Sequence, residues 1–159
     1  MNQEIQEIER KIFSTFAEVA SSLGYSPLHG QIIAVLMVRG RALSLQEIAR
    51  ETGYSVSMIS LSLDLLEVLG IIRKVKKTAD RKLYVDLSGD LLEALKNAII
   101  LKLSKSITSS LGEFEEGKRK LESISGEESR RVLRTIETLE REIRRLKTYV
   151  DILSAAKLP

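Results

Sequence analysis

The chain has 159 residues, enough for one domain with its own core or for a small domain joined to an oligomerisation element. It holds no cysteine and one histidine, His29, which rules out disulfides and thiolate chemistry and argues against a zinc site, so neither metal nor cofactor is expected. A net charge of +3 is uninformative until its distribution is followed along the chain.

Ile5, Ile8, Ile12, Phe16, Val19 and Leu23 recur at spacings of three and four, so an amphipathic helix near residues 2 to 23 is expected, with an apolar stripe that needs a covering surface. This segment is acidic rather than basic and then apolar, and no apolar run approaches the roughly 18 residues of a membrane span. The expectation is therefore a soluble, cytoplasmic protein with no membrane contact. Gly24 ends the first helix, and Ser26 followed by Pro27 supplies a cap and a first-turn proline for a second. Leu28, Ile32, Val35 and Leu36 form the inner face of that helix. His29 falls in its first turn, where a satisfied or solvent-facing ring is the expectation.

Ser44-Leu45-Gln46-Glu47 fits a capping box, in which the serine oxygen accepts from the backbone three residues on and the glutamate reaches back. A short helix should run to about Thr52, and Gly53 can take the left-handed conformation that stops it. Ser55 caps the next helix, expected to reach about Leu69. Its inward positions are Ile59, Leu63, Leu66 and Leu69, and its outward ones include Val56, Ser57, Ser60, Leu61 and Asp64. Two strands follow, Ile72 to Lys76 and Lys82 to Leu87, around the polar tip Thr78-Ala79-Asp80-Arg81. Alternation points Leu83, Val85 and Leu87 at the core and assigns Lys74, Lys76 and Lys82 to the outer face.

Charge concentrates in this hairpin. Residues 71 to 87 carry Arg73, Lys74, Lys76, Lys77, Arg81 and Lys82 against Asp80 and Asp86, a net of +4 that exceeds the net charge of the whole chain. Residues 1 to 70 carry five basic and eight acidic side chains, a net of −3. A basic wing behind a helix that can enter a groove makes double-stranded DNA the leading partner.

The run Gly53-Tyr54-Ser55-Val56-Ser57-Met58-Ile59-Ser60, followed by Leu66-Glu67-Val68-Leu69-Gly70-Ile71-Ile72-Arg73-Lys74-Val75, resembles the recognition helix and first wing strand of MarR-type regulators. The stretch from Ser57 to Leu63, with the later leucine-glutamate pair and Gly70, is similar to the GbsR-like branch, and Asp80-Arg81-Lys82 resembles the wing-tip signature. The layout matches over the whole length. The resemblance implies a homodimeric DNA-binding repressor, with the recognition helix in the major groove and the wing on the minor groove. It assigns Ser55, Val56, Ser57, Ser60 and Leu61 to the groove-facing helix surface. Arg81 takes the minor-groove role, and Arg73, Lys74, Lys76, Lys77 and Lys82 complete the DNA-binding wing.

One departure from that pattern bears on specificity. Between Ser55 and Leu69 there is no Arg, Lys, Asn or Gln, the side chains suited to bidentate base readout. The alternative is accordingly a winged-helix adaptor that binds protein through Val56, Met58 and Leu61, without sequence-specific DNA binding.

From Val132 onward, Val132, Ile136, Leu139, Ile143, Leu146, Val150 and Leu153 alternate spacings of four and three, a heptad seam on a helix from Glu127 to Ala156. Glu137 with Arg141 and Glu140 with Arg144 are expected to pair along it. The preceding stretch, Ser88 to about Glu122, is also helical in spacing, and Gly126 separates the two into a hairpin. These stripes and the first helix offer more apolar face than a small winged module covers, so a homodimer through Ile5, Ile8, Ile12, Ile136, Leu139, Ile143, Leu146, Val150 and Leu153 is expected. An unknown small-molecule effector held between the winged module and the helical region is a further expectation for a regulator of this layout. Ser104, Ser106, Ser109 and Ser110 could line its pocket, although solvated helix surface is the simpler reading.

Neither a P-loop nor a dinucleotide-binding glycine signature is present, and carboxylates sit at helix-surface spacings beside basic partners, so catalysis is not expected. The fold class that follows is mainly α with a small β-hairpin wing, a winged helix-turn-helix plus long dimerisation helices. Its parts are a first helix contributing to dimerisation (residues 1–25), a winged helix-turn-helix domain (26–87) and a C-terminal helical dimerisation region (88–159).

Overall fold

Local capping chemistry decides where the helices of the first half begin. In the computed structural model, which describes residues 2–76 and 80–159, Asn2 caps α1 (Gln3–Ser22) by accepting from the Glu4 amide. Ser26 caps α2 (Pro27–Arg39), with Pro27 in the first turn. A two-residue strand β1 (Leu43–Ser44) runs into α3 (Leu45–Thr52), and Ser44 and Glu47 form both bonds of the capping box at 3.2 and 2.8 Å. Gly53, at φ 77°, ends α3 in the left-handed region that a Cβ disfavours. Ser55 then caps α4 (Val56–Val68) through the Met58 amide.

The capping box makes a pH prediction. The Glu47 carboxyl is held below its ordinary range, first by the Ser44 amide and then by Arg41. Its stabilisation is therefore present above the ordinary carboxylate pKa of about 4.5 and is lost as pH falls through the lowered folded value. Glu47→Gln should flatten the acid limb of melting temperature against pH, and Ser44→Ala should cost about 1 kcal/mol in urea titration at neutral pH.

Strands β2 (Ile72–Lys76) and β3 (Leu83–Leu87) close a three-stranded antiparallel sheet in the order β1-β3-β2. The third strand, β1, was not legible as a strand because two residues carry no alternation. The sheet and α2, α3 and α4 enclose one core in which Leu28, Ile32, Leu36, Leu43, Ile48, Ile59, Leu63, Leu66 and Val85 are essentially inaccessible. Burial of side chains of this size contributes roughly 1.5–3 kcal/mol each.

Two contacts fasten α1 to this module. At Gly30 of α2 the backbone of α1 crosses so closely that a Cβ would lie 2.0 Å from the Phe16 carbonyl oxygen. Nearby, the Arg39 guanidinium donates to both oxygens of Glu9 on α1, at 3.0 and 3.1 Å, and to both oxygens of Glu51 on α3, at 2.8 and 2.9 Å. The face of α1 turned toward α2 carries Phe13 and Ala17. Ile5, Ile8 and Ile12 remain exposed, at 50%, 59% and 36%.

By its contacts the chain separates into two compact units, residues 1–95 and 96–159. The second unit comprises most of α5 (Leu91–Leu121) and all of α6 (Glu127–Ala155). The two helices run antiparallel, with Lys118 on α5 paired to Glu140 on α6 at 3.0 Å and Lys96 donating to the Ser154 carbonyl at 3.3 Å. Glu140 thus turns across the hairpin to Lys118 instead of along α6 to Arg144. Ile107 and Val150 are buried, and Ile136, Ile143, Leu146 and Leu153 are half-buried. Val132 and Leu139, placed on the expected seam, are exposed at 41% and 45%. The inner stripe of α6 passes through Leu133 and Glu140, one residue further on.

No helix among the described residues is long and apolar enough to cross a membrane.

Candidate nucleic-acid interface

Helical periodicity divides α4 into two faces. Ile59, Ser62, Leu63 and Leu66 point into the core, and the opposite stripe presents Ser57, Ser60, Leu61, Asp64 and Val68 to solvent. Leu61 is 76% exposed, Met58 47% and Val56 39%. Ser55 also lies on the exposed N-terminal turn, where its hydroxyl oxygen is engaged as the cap. The residues expected at a groove are therefore gathered on one end and one side of a single helix. Such N-terminal turns are the part of a recognition helix that reaches base edges.

Strand register corrects one expectation about the wing. Lys74 pairs with Val85 and Lys76 with Leu83, and residues directly opposite in an antiparallel pair share a face. Lys74 and Lys76 thus lie on the same face as Val85 and Leu83, while Arg73, Val75, Tyr84 and Asp86 occupy the other. The Lys74 ammonium escapes that face by reaching α4, at 2.8 Å from Asp64 and 3.9 Å from Glu67. Its acidity is lowered chiefly by the hydrogen bond to Asp64. Lys74 is therefore a strut between the hairpin and α4, where it offsets the exposed carboxylates Asp64 and Glu67. Arg73 is opposite Asp86 and 3.5 Å from it. Lys76, Arg81 and Lys82 make no ion pair among the described residues and are left as the cations available to phosphate. Lys77, expected to join them, lies outside the described residues.

Asp80 organises the wing tip. Its carboxylate accepts from the Lys82 amide at 3.2 Å and from the Tyr84 hydroxyl at 2.7 Å. The first of these bonds closes an Asx turn, a shape that accommodates a left-handed residue. Arg81 sits inside it at φ 57°, the one non-glycine residue with positive φ among those described. The Tyr84 phenol is pushed up in pKa, first by its bond to Asp80. The sequence marks Asp80 as part of the Asp80-Arg81-Lys82 run, but its bonds to the Lys82 amide and the Tyr84 hydroxyl were not legible there.

Elsewhere, three arginines of the first unit, Arg39, Arg41 and Arg50, line an open cleft of about 510 Å³ with Leu43, Glu47 and Glu51. Arg39 is committed to Glu9 and Glu51, and Arg41 lies 3.2 Å from Glu47. No group of three or more metal-ligating side chains occurs among the described residues.

The chain shares its fold with a solved structure. A crystallised transcriptional regulator superposes with a TM-score of 0.62 at 20% identity, over 92% of this chain and 95% of that one. Weaker likenesses are to the multiple antibiotic-resistance repressor (MarR) of Listeria monocytogenes and to Streptococcus pneumoniae FabT in complex with DNA. The first has a TM-score of 0.39 at 19% identity, over 89% of this chain and 88% of that one. The second has a TM-score of 0.39 at 16% identity, over 91% and 98%. No family model and no curated protein matches the sequence. The first likeness spans nearly the full length of both chains.

Proposed function

We propose that this protein is a sequence-specific DNA-binding transcriptional regulator of MarR type, GbsR-like in its recognition segment, that acts as a homodimeric repressor in the cytoplasm. The observation that carries the reading is the juxtaposition of an uncommitted helix face, Ser57, Ser60 and Leu61, with a wing whose Arg81 is held out by its own Asx turn. In this reading α4 enters the major groove. Arg81 enters the adjacent minor groove, where a narrow A·T tract concentrates negative potential. Lys76 and Lys82 contact phosphates and set position without reading sequence.

Homodimerisation is supported by the exposed stripe Ile5, Ile8 and Ile12 on α1 and by Leu139, Tyr149 and Ile152 on α6, apolar surface that the single chain leaves in water. A two-fold dimer requires a pseudo-palindromic operator with half-sites about 10 base pairs apart. An effector would act by changing the separation of the two recognition helices.

The exposure of Val56, Met58 and Leu61 also fits a protein-binding adaptor, and one substitution separates the two readings. Leu61→Arg keeps the fold, because the side chain is 76% exposed, and places a cation on the groove-facing stripe. A DNA-binding protein should lose operator preference yet hold or gain affinity for unrelated duplex in fluorescence anisotropy at low salt. An adaptor should bind neither duplex before or after the change.

A further inference from the structure

The exposed stripe of α4 is unusual in its chemistry for a surface meant to meet DNA. It contains no side chain that donates two hydrogen bonds in one plane, so it has nothing with which to grip the N7 and O6 of guanine or the N6 and N7 of adenine. Its first two turns offer two single hydroxyls, Ser57 and Ser60, and the apolar Leu61, flanked by the less exposed Val56 and Met58; Leu61 is 76% exposed where core leucines of the same helix are at 0–2%. The acidic group further along, Asp64, could accept from cytosine N4, but Lys74 holds it at 2.8 Å. The cations that would draw this surface onto a duplex, Lys76, Arg81 and Lys82, stand on the hairpin that follows α4. In the major groove, only thymine among the four bases presents an apolar group, its C5 methyl.

From this juxtaposition, and resting on the DNA-binding reading above, we infer that the recognition helix reads thymine methyl groups through Leu61, with Ser57 and Ser60 as single-bond partners to neighbouring base edges. Specificity in the major groove is then for A·T pairs, read by apolar contact and not by bidentate hydrogen bonding. Guanine in the contacted positions is disfavoured because its acceptors would be desolvated against a leucine with no donor to meet them. The base preference of helix and wing coincides: an A·T-rich half-site supplies methyls to Leu61 and a narrow minor groove to Arg81.

The test begins with the full-length chain and a pool of random-sequence duplexes, from which bound species are selected at physiological salt. A retained duplex is then synthesised with each thymine replaced singly by uracil, which removes the methyl and leaves pairing and minor-groove acceptors in place. The inference predicts A·T-rich half-sites and at least one position per half-site where uracil weakens binding about fourfold. That factor corresponds to the roughly 0.8 kcal/mol gained on burying one such carbon. In Leu61→Ala the same thymine and uracil duplexes should bind alike, whereas Val68→Ala, an exposed apolar change at the far end of the helix, should keep the difference. Placing 5-methylcytosine at the sensitive position, with guanine opposite, should recover part of the affinity lost with plain cytosine. Tight binding that ignores every thymine methyl, or half-sites dominated by guanine contacts, would overturn the inference and leave the DNA-binding reading standing. Retention of no duplex at all would overturn that reading and the inference with it.

Discussion

Gly30→Ala should destabilise the first unit by roughly 3 kcal/mol or more, the upper end of what an added methyl costs in a packed interior. The reason is the identity of the atoms it would meet. The new Cβ would lie 2.0 Å from the Phe16 carbonyl oxygen, 2.4 Å from its carbonyl carbon and 2.9 Å from the Ala17 nitrogen. All three belong to the backbone of α1, so no rotamer change relieves the overlap. The helix as a whole must move away, and with it go Phe13, Ala17 and the Arg39 bridge to Glu9. Thermal unfolding should show a midpoint lowered by about 12 °C or more, on the usual proportion between free energy and melting temperature for a unit of this size. A loss below about 1 kcal/mol would mean that α1 does not cross α2 at this distance in solution.

Arg81 should separate stability from binding, because the proposed DNA contact uses its guanidinium while its backbone shapes the turn. At φ 57° a non-glycine residue carries a cost of about 1–2 kcal/mol, and glycine there trades most of that gain against its greater freedom in the unfolded chain. Arg81→Gly should therefore leave denaturant stability unchanged or raise it by up to about 1 kcal/mol. Affinity for an A·T-rich operator should nonetheless fall by roughly tenfold or more, on the scale of one lost specific contact of about 1–3 kcal/mol. Lys76→Ala, by contrast, should weaken binding to all duplexes alike and lower the salt dependence by about one ion. Equal losses on every sequence for both variants would remove the minor-groove role from Arg81.

The elements most legible in the sequence were those whose physics is local. Ser26 with Pro27, the Ser44/Glu47 box, Gly53 and Ser55 each act within a few residues, and each begins or ends a helix where its neighbours said it would. The outward face of α4 was likewise readable, because a single helical period separates Ile59 and Leu63 from Ser57 and Leu61. What escaped were features set by pairing between distant segments. Lys74 looks like a solvent-facing lysine until its register opposite Val85 turns it inward and sends its ammonium to Asp64. Gly30 gives no sign in the sequence that another backbone crosses it. On α6 a spacing of four and three is met by two adjacent stripes. Only burial shows that Leu133 and Glu140 lie on the half-buried one while Val132 and Leu139 stand outside it. Periodicity reports that a face will be covered, and packing decides by what.

Sequence-specific binding to duplex DNA is the claim on which the rest depends. Its most direct test is fluorescence anisotropy on the DNA upstream of the protein's own gene, with unrelated duplex as competitor and salt as the variable. A regulator working through α4 and the wing should prefer that DNA by roughly 10³-fold or more, and the preference should persist as salt rises. Equal and steeply salt-dependent binding to both duplexes, or no binding to either at low salt, would contradict it.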